Sequence, residues 1–405
     1  MFWEKRLENW VTNFKKTISL PLRIEMWNGQ THNFSNDPPL VTIHVPSLDS
    51  LHYLVRPSLD NLGTAYVENK IHIDGKLSDV IAIGNKLASR FYDPTSENAS
   101  KFRRYFGGFH NRKIDKDSIH YHYDVSNEFY QLWLDPGMIY SCAYFENGDE
   151  DLATAQVKKL DHILTKIRVK PDDRLLDIGC GWGGLVIRAA EKFGAKCVGI
   201  TLSENQYEMA RERVKAAGLE KRVEIRIQDY RDIKEKFDRI TSVGMFEHVG
   251  LRYLKNYFRI IHDLLVDDGI AMNHGITSSD PESNETPFGG GDFIEKYVFP
   301  HGELPHIGLV LKTMQQGGLE AHDVENLRHH YARTCGIWAD NFENNAESIK
   351  KMVDEKRYRI WRVYLAGCSY AFSADRIALY QVLCTRAGHT AQLLPWSRGY
   401  MYGKT

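Results

Sequence analysis

The sequence predicts an α/β chain, with a Rossmann-like, mostly parallel sheet preceded by a small α+β domain, and three observations predict it. From Pro171 onward short β-branched runs alternate with helical patterns, which implies right-handed βαβ crossovers. A turn crowded with glycine, Asp177-Ile-Gly-Cys-Gly-Trp-Gly-Gly184, follows the first of those runs directly. Ahead of them the apolar spacing is different, and the turn-forming stretch Asp93-Pro94-Thr95-Ser96-Glu97-Asn98 separates the two patterns.

In chain order, Trp3, Leu7, Trp10, Phe14 and Ile18 recur at spacings of three and four, one face of an amphipathic helix. Strands are expected at Leu22 to Met26, Leu40 to Val45 and Lys70 to Ile73, then a helix from Leu77 to Phe91. The expected division is 1–92 for the small domain, 93–117 for a linker and 118–405 for the α/β domain. The parallel strands are expected at Arg174 to Ile178, Cys197 to Thr201, Val223 to Ile227, Arg239 to Val243 and Ile270 to His274. A helix from Tyr358 to Phe372 and a strand from Ile377 to Cys384 close the pattern.

Composition narrows the class. At 405 residues, 42% hydrophobic and 26% charged, the chain has the balance of a globular protein of two or three domains. A net charge of -1 supplies no global field for nucleic acid, so no nucleic-acid partner is expected. The six cysteines have no Cys-x-x-Cys pair or metal-ligand spacing, so reduced thiols in a cytoplasmic protein are expected, and no metal site. No run of about 18 apolar residues exists, and charges are spread through the first 16 positions, which argues against a signal peptide and a spanning helix.

By itself the glycine turn leaves a nicotinamide fold, a methyl-transfer fold and a plain strand-to-helix turn open. Its surroundings discriminate. Asp177, two residues before Gly179, would repel a pyrophosphate but suits a cationic, phosphate-free ligand. After the second strand comes Gly199-Ile-Thr201-Leu202-Ser203-Glu-Asn-Gln206, able to hydrogen-bond ribose hydroxyls. After the third, Gln228-Asp229-Tyr230 could read an adenine amine. Three consecutive strand ends thus point to S-adenosylmethionine, and the fold class becomes the class I S-adenosylmethionine-dependent methyltransferase.

Longer stretches carry a resemblance: His120-Tyr-His-Tyr-Asp124-Val-Ser-Asn127, Met138-Ile-Tyr140-Ser141-Cys142-Ala-Tyr-Phe145, Asp177 to Gly184, Gly199 to Gln206, Met245-Phe-Glu247-His248-Val249, Phe293 to Pro300 and Tyr364 to Phe372. Over most of residues 115–385 the chain resembles the cyclopropane-fatty-acyl-phospholipid synthases, relatives of the mycolic acid cyclopropane synthases. The first hundred residues match only in style. The resemblance implies insertion of the methyl carbon of S-adenosylmethionine across a cis double bond of a phospholipid acyl chain, through a carbocation deprotonated by bound bicarbonate. It places the cofactor at Tyr140, Ser141, Asp177, Gly179, Gly181, Gly183, Thr201, Leu202, Ser203, Gln206, Asp229 and Tyr230. The positions matching the bicarbonate cage are Cys142, Glu247, His274, the backbone of Ile276, and Tyr331. Cys368 matches a cysteine assigned to the family's active site, although the chemistry requires no covalent enzyme intermediate.

A carbocation must be kept from water, and aromatic faces stabilise it without offering a lone pair. Tyr121, Tyr123, Phe129, Tyr140, Tyr144, Phe145, Phe246, Tyr297, Phe299, Tyr331 and Trp338 are candidates, and ordinary core packing accounts for about half of them. Reaching an acyl chain implies peripheral docking on the inner face of a phospholipid bilayer. The aromatic N-terminal helix and the basic-aromatic run Lys101-Phe-Arg103-Arg104-Tyr-Phe106 with Arg112 and Lys113 are the two candidates. The resemblance also implies a homodimer.

Overall fold

The computed structural model describes residues 2–55, 57–90, 125–281, 291–299, 303–388 and 394–402, residues 2–8 by their backbone alone. The expected linker at 93–117, the run Lys101 to Lys113 and the histidines at 120 and 122 lie outside them.

The described residues form two compact units. The first is built on the N-terminal segment, and Glu285–Val298 and Ala346–Tyr370 group with it, so the units are interleaved along the chain where a continuous division at 118 was expected. Its sheet has the order β2-β1-β3-β4, from Leu22–Met26 (β1), Thr31–Asn33 (β2), Val41–Val45 (β3) and His72–Gly75 (β4). Alternate side chains of β1 and β3 are buried, the period of a half-covered sheet. The helix Phe2–Thr17 packs Phe14 edge-on against Phe34, with ring centroids 5.1 Å apart. Hydrogen bonds tie in the later segments: the Phe293 amide donates to Asp60 (2.8 Å), the Tyr297 hydroxyl to Glu68 (2.8 Å) and Arg362 to the Tyr66 hydroxyl (2.8 Å).

The second unit carries a seven-stranded sheet of order β10-β11-β9-β8-β5-β6-β7. Its strands are Arg174–Ile178 (β5), Lys196–Thr201 (β6), Val223–Ile227 (β7), Phe237–Val243 (β8), Leu265–Ser278 (β9), Leu319–Asn326 (β10) and Ile377–Arg386 (β11). β5 to β9 pair in parallel, whereas β11 is antiparallel to β9 and β10 to β11. β5 and β6 are buried at every position but the first, as expected of parallel strands covered on both faces. One face is covered by the helices Leu152–Lys166, Gly184–Phe193 and Glu204–Ala216, the other by Leu254–Leu264 and Ile307–Gln316.

The chain runs outward from β5 to β7 and then returns to place β8 on the other side of β5. This reversal separates the loops at the carboxyl ends of β5 and β8, the crevice where open α/β sheets bind ligands.

Candidate functional site

A cavity of about 1200 Å³, its open mouth included, lies at that crevice, lined by the ends of β5, β6 and β8 and by residues 138–141. Gly179, Gly181 and Gly183 have φ of 80°, 53° and 80°, in the left-handed region where a side chain would be strained. The turn is pinned by the amides of Gly179 and Cys180, both donating to the Ile200 carbonyl, and delivers the N-terminus of helix Gly184–Phe193.

Asp177, only 3% exposed, accepts a 2.7 Å hydrogen bond from the Thr241 hydroxyl, and burial pushes its carboxyl up to about 6. Thr201 donates to Gln206 (2.8 Å), so this pair reaches the cavity as a unit. Ser203 accepts from the Gln206 amide as the N-cap of helix Glu204–Ala216 and does not line the cavity, so its hydroxyl serves the helix. Leu202 and Tyr230 line the wall. Asp229 does too, but both its oxygens are taken by Arg231, at 2.9 and 2.6 Å.

Tyr140, which also lines the cavity, packs against Tyr130, Trp133 and Trp338, with ring centroids 5.2 to 5.8 Å apart. The aromatic series continues from Trp338 to Tyr331 (5.9 Å) and from Tyr331 to Phe372 (4.5 Å). Beside Tyr140, Ser141 accepts a 2.8 Å hydrogen bond from Lys159, a lysine only 1% exposed.

Glu247 sits in a 3-10 turn after β8. Its Oε1 accepts the Ile276 amide at 2.7 Å, while Oε2 is buried and unpartnered among the described residues. Burial pushes this carboxyl up to about 7. His274, fully buried on β9, holds Gln381 at Nδ1 (3.3 Å), and its Nε2 is likewise unpartnered. Lys166 donates to the Gln381 oxygen (3.3 Å), which turns the amide nitrogen toward the ring. That nitrogen can only donate, so His274 Nδ1 accepts and the ring proton lies on Nε2. Burial, reinforced by Lys159 and Lys166, holds this ring neutral.

The remaining predicted positions do not line the cavity, and they connect to this strand only in series. Ile276 is opposite Leu379, whose carbonyl accepts the Leu327 amide, and Leu327 opens the helix Arg328–Asn344 that carries Tyr331. The Cys142 thiol donates to the carbonyl of Leu327 at 3.8 Å. Ile276 thus enters through its amide, which fixes Glu247. Burial also drives the Cys142 thiol well above its ordinary range, so it is a neutral donor. A β-carbon at Gly275 would collide with the Phe246 ring, so this glycine lets Glu247's turn lie against β9.

Cys368 belongs by its contacts to the first unit, and burial pushes its thiol up to about 12, far from a nucleophilic thiolate at neutral pH. Sequence reasoning passed over Lys159 and Gln381. Lys159 did leave a signal: it lies on the stripe Ala155, Gln156, Lys159, Leu160, Ile163 that helix Leu152–Lys166 buries. Gln381 left none beyond being polar within an apolar strand.

A glycine turn, a cationic-ligand carboxylate and a strand-end crevice define a methyl-transfer fold, and comparison with known proteins agrees. Residues 110–382 match the family model "Mycolic acid cyclopropane synthetase", and residues 9–96 match a domain of unknown function. A "Probable fatty acid methyltransferase" of Pseudomonas putida is 43% identical over 96% of this chain and 98% of its own. The cyclopropane-fatty-acyl-phospholipid synthase of Escherichia coli K12 is 39% identical over 65% of this chain and 66% of its own. The crystal structure of mycolic acid cyclopropane synthase CmaA1 with SAH and CTAB superposes with a TM-score of 0.64 at 33% identity, covering 67% of this chain and 98% of that one. The protein is an S-adenosylmethionine-dependent methyltransferase. It belongs to the mycolic acid cyclopropane synthetase family.

Proposed function

We propose that the enzyme inserts the methyl carbon of S-adenosylmethionine across a cis double bond of an unsaturated phospholipid acyl chain, forming a cyclopropane ring. The observation that carries this reading is the pair of buried, unpartnered atoms, Glu247 Oε2 and His274 Nε2, on residues tied by backbone links to Cys142 and Tyr331. Buried polar atoms are nearly always satisfied, so two open ones at a strand-end site call for a small polar ligand.

An alkene is a weak nucleophile, and its attack on a sulfonium methyl leaves a carbocation that water would quench. Tyr140 lines the cavity, and the packed series Tyr140, Trp338, Tyr331, Phe372 would supply apolar, π-rich surroundings without a reactive lone pair. Ring closure then requires a proton to leave the added carbon. Bicarbonate fits the donor set: His274 Nε2–H would donate to one of its oxygens and Glu247 Oε2 would accept its hydroxyl proton. Held there, bicarbonate would supply the base for the site. Glu247 and His274 orient; neither needs to take the proton itself.

Incubation with methyl-labelled S-adenosylmethionine and vesicles of unsaturated phospholipid should give labelled acyl chains one CH₂ heavier, and turnover should fall when bicarbonate is stripped. Label absent from lipid sinks the proposal. A second reading is favoured by the name of the Pseudomonas putida relative, a fatty acid methyltransferase: the same carbocation could end by proton loss as a methylene branch, or as a methyl branch where a hydride donor then reduces it. NMR of the product fatty acid separates ring from branch. No helix among the described residues is long and apolar enough to cross a membrane. Peripheral docking on the cytoplasmic face of the bilayer and a homodimer complete the proposal, and vesicle flotation and light scattering test them.

A further inference from the structure

We infer that Lys159 is the carboxylate subsite of the methyl-donor cavity, pairing with the anionic group of the cofactor's amino-acid end. The inference rests on the cofactor being S-adenosylmethionine.

Two cationic side chains of the lysine or arginine type line the cavity. Arg231 is closed on Asp229 by hydrogen bonds of 2.9 and 2.6 Å. Lys159 is different. It donates to one acceptor, the Ser141 hydroxyl at 2.8 Å, and makes no ion pair among the described residues. An ammonium has three donors, so two remain to be used. Burying such a group without a counter-charge is costly, and burial lowers its pKa to about 8, even though the charges of Asp135 and Asp177 favour the ammonium from beyond contact. A buried lysine of this kind, 1% exposed and facing a ligand cavity, is held for an anion that arrives with the ligand.

Chemistry selects which anion. S-adenosylmethionine carries two cationic centres, the sulfonium and the α-ammonium, and one anionic group, the carboxylate. An ammonium repels the first two. Asp177, which lines the same cavity, has the charge that the α-ammonium requires. The pair Asp177 and Lys159 therefore reads the zwitterion, with Ser141 holding the lysine in place.

The experiment is calorimetry on the full chain with three probes: S-adenosylhomocysteine, its decarboxylated analogue and 5′-methylthioadenosine. In the wild type, removing the carboxylate should weaken binding roughly 10- to 100-fold, the worth of a charge-assisted hydrogen bond. Lys159→Met should weaken S-adenosylhomocysteine by a similar factor and leave the other two probes within about threefold. Lys159→Arg should recover part of the loss. If the wild type holds the decarboxylated analogue as tightly as S-adenosylhomocysteine, the assignment falls without any variant being made. Equal losses on all three probes in Lys159→Met would make the lysine structural and overturn it as well. A wild type that binds none of the probes would instead overturn the methyl-donor reading itself.

Discussion

Around the glycine turn, several polar side chains that line the cofactor cavity are already engaged: Thr201 with Gln206, Asp177 with Thr241, Asp229 with Arg231. Around Glu247 and His274 the arrangement is the reverse, because each shows one hydrogen-bonded atom and one open atom, and both are buried. A satisfied surface holds a ligand by shape and by few added charges, and it costs little when empty. An unsatisfied one is unstable alone and is retained for what it does to a reacting group. On the proposed mechanism the first region would govern cofactor affinity and the second turnover, and the two should separate under mutation.

The largest separation is expected for Glu247→Gln. The amide keeps an oxygen for the Ile276 amide and loses the open carboxylate, so turnover should drop by roughly 10² to 10³-fold while the dissociation constant for S-adenosylhomocysteine stays within about twofold. Near-normal turnover would erase the distinction between the regions. The same variant carries a pH signature. The folded pKa of Glu247 is raised to about 7 from an ordinary 4.5, so its stabilising contribution is complete below about 4.5 and is lost as pH rises through about 7. Relative to Glu247→Gln, the wild type should lose on the order of 3 kcal/mol of stability across that interval in urea titrations, at about 1.4 kcal/mol for each tenfold change in proton affinity.

Next in size is Gly275→Ala. Its β-carbon must displace the Phe246 ring, which costs about 1–3 kcal/mol of stability and moves Glu247's turn off β9. Thermal melting and turnover should fall together, with cofactor affinity less affected. If Gly275→Ala keeps full turnover, the close approach of this turn to β9 is not what orients the acid.

At the cofactor end, Asp177→Asn should weaken binding about tenfold, close to 1.4 kcal/mol. Asp177 must be ionised to attract a cationic ligand, and its free pKa is about 6. Wild-type affinity should therefore decline as pH falls below about 6, and the variant should lack that slope. Calorimetry between pH 5 and 8 decides it. The smallest effect is expected for Ser203→Ala: about 1 kcal/mol of stability from a lost helix cap, with cofactor affinity nearly unchanged. A tenfold loss of affinity would return Ser203 to the ribose site.

Much of this architecture was legible beforehand. β5 and β7 match the expected strands residue for residue and β6 begins one position early: the inner strands β5 and β6 are mostly apolar, being covered on both faces, and the edge strand β7 alternates as Val-Glu-Ile-Arg-Ile. β10 was not foreseen: its composition, Leu-Glu-Ala-His-Asp-Val-Glu-Asn, is that of an edge strand exposed to water, and pairing with β11 supplies what its composition lacks. The helix Arg328–Asn344 was missed although it carries a stripe, with Tyr331, Thr334, Cys335, Trp338, Ala339 and Phe342 buried at helical spacing. The expected boundary at 118 misses the return of Glu285–Val298 and Ala346–Tyr370 to the first unit, because those segments meet their partners only in three dimensions.

By itself the sequence determined what is local: the glycine turn with its positive φ values, the strand ends around it and the family to which the chain belongs. Tertiary structure decided which polar atoms are spent and which are left over. Ser203 was spent on a helix and Asp229 on Arg231, whereas Glu247 Oε2, His274 Nε2 and the Lys159 ammonium were left with bonds to make. The physical reason is separation along the chain. Glu247 meets Ile276 across 29 residues and His274 meets Gln381 across 107, and no local pattern records a hydrogen bond between partners so far apart.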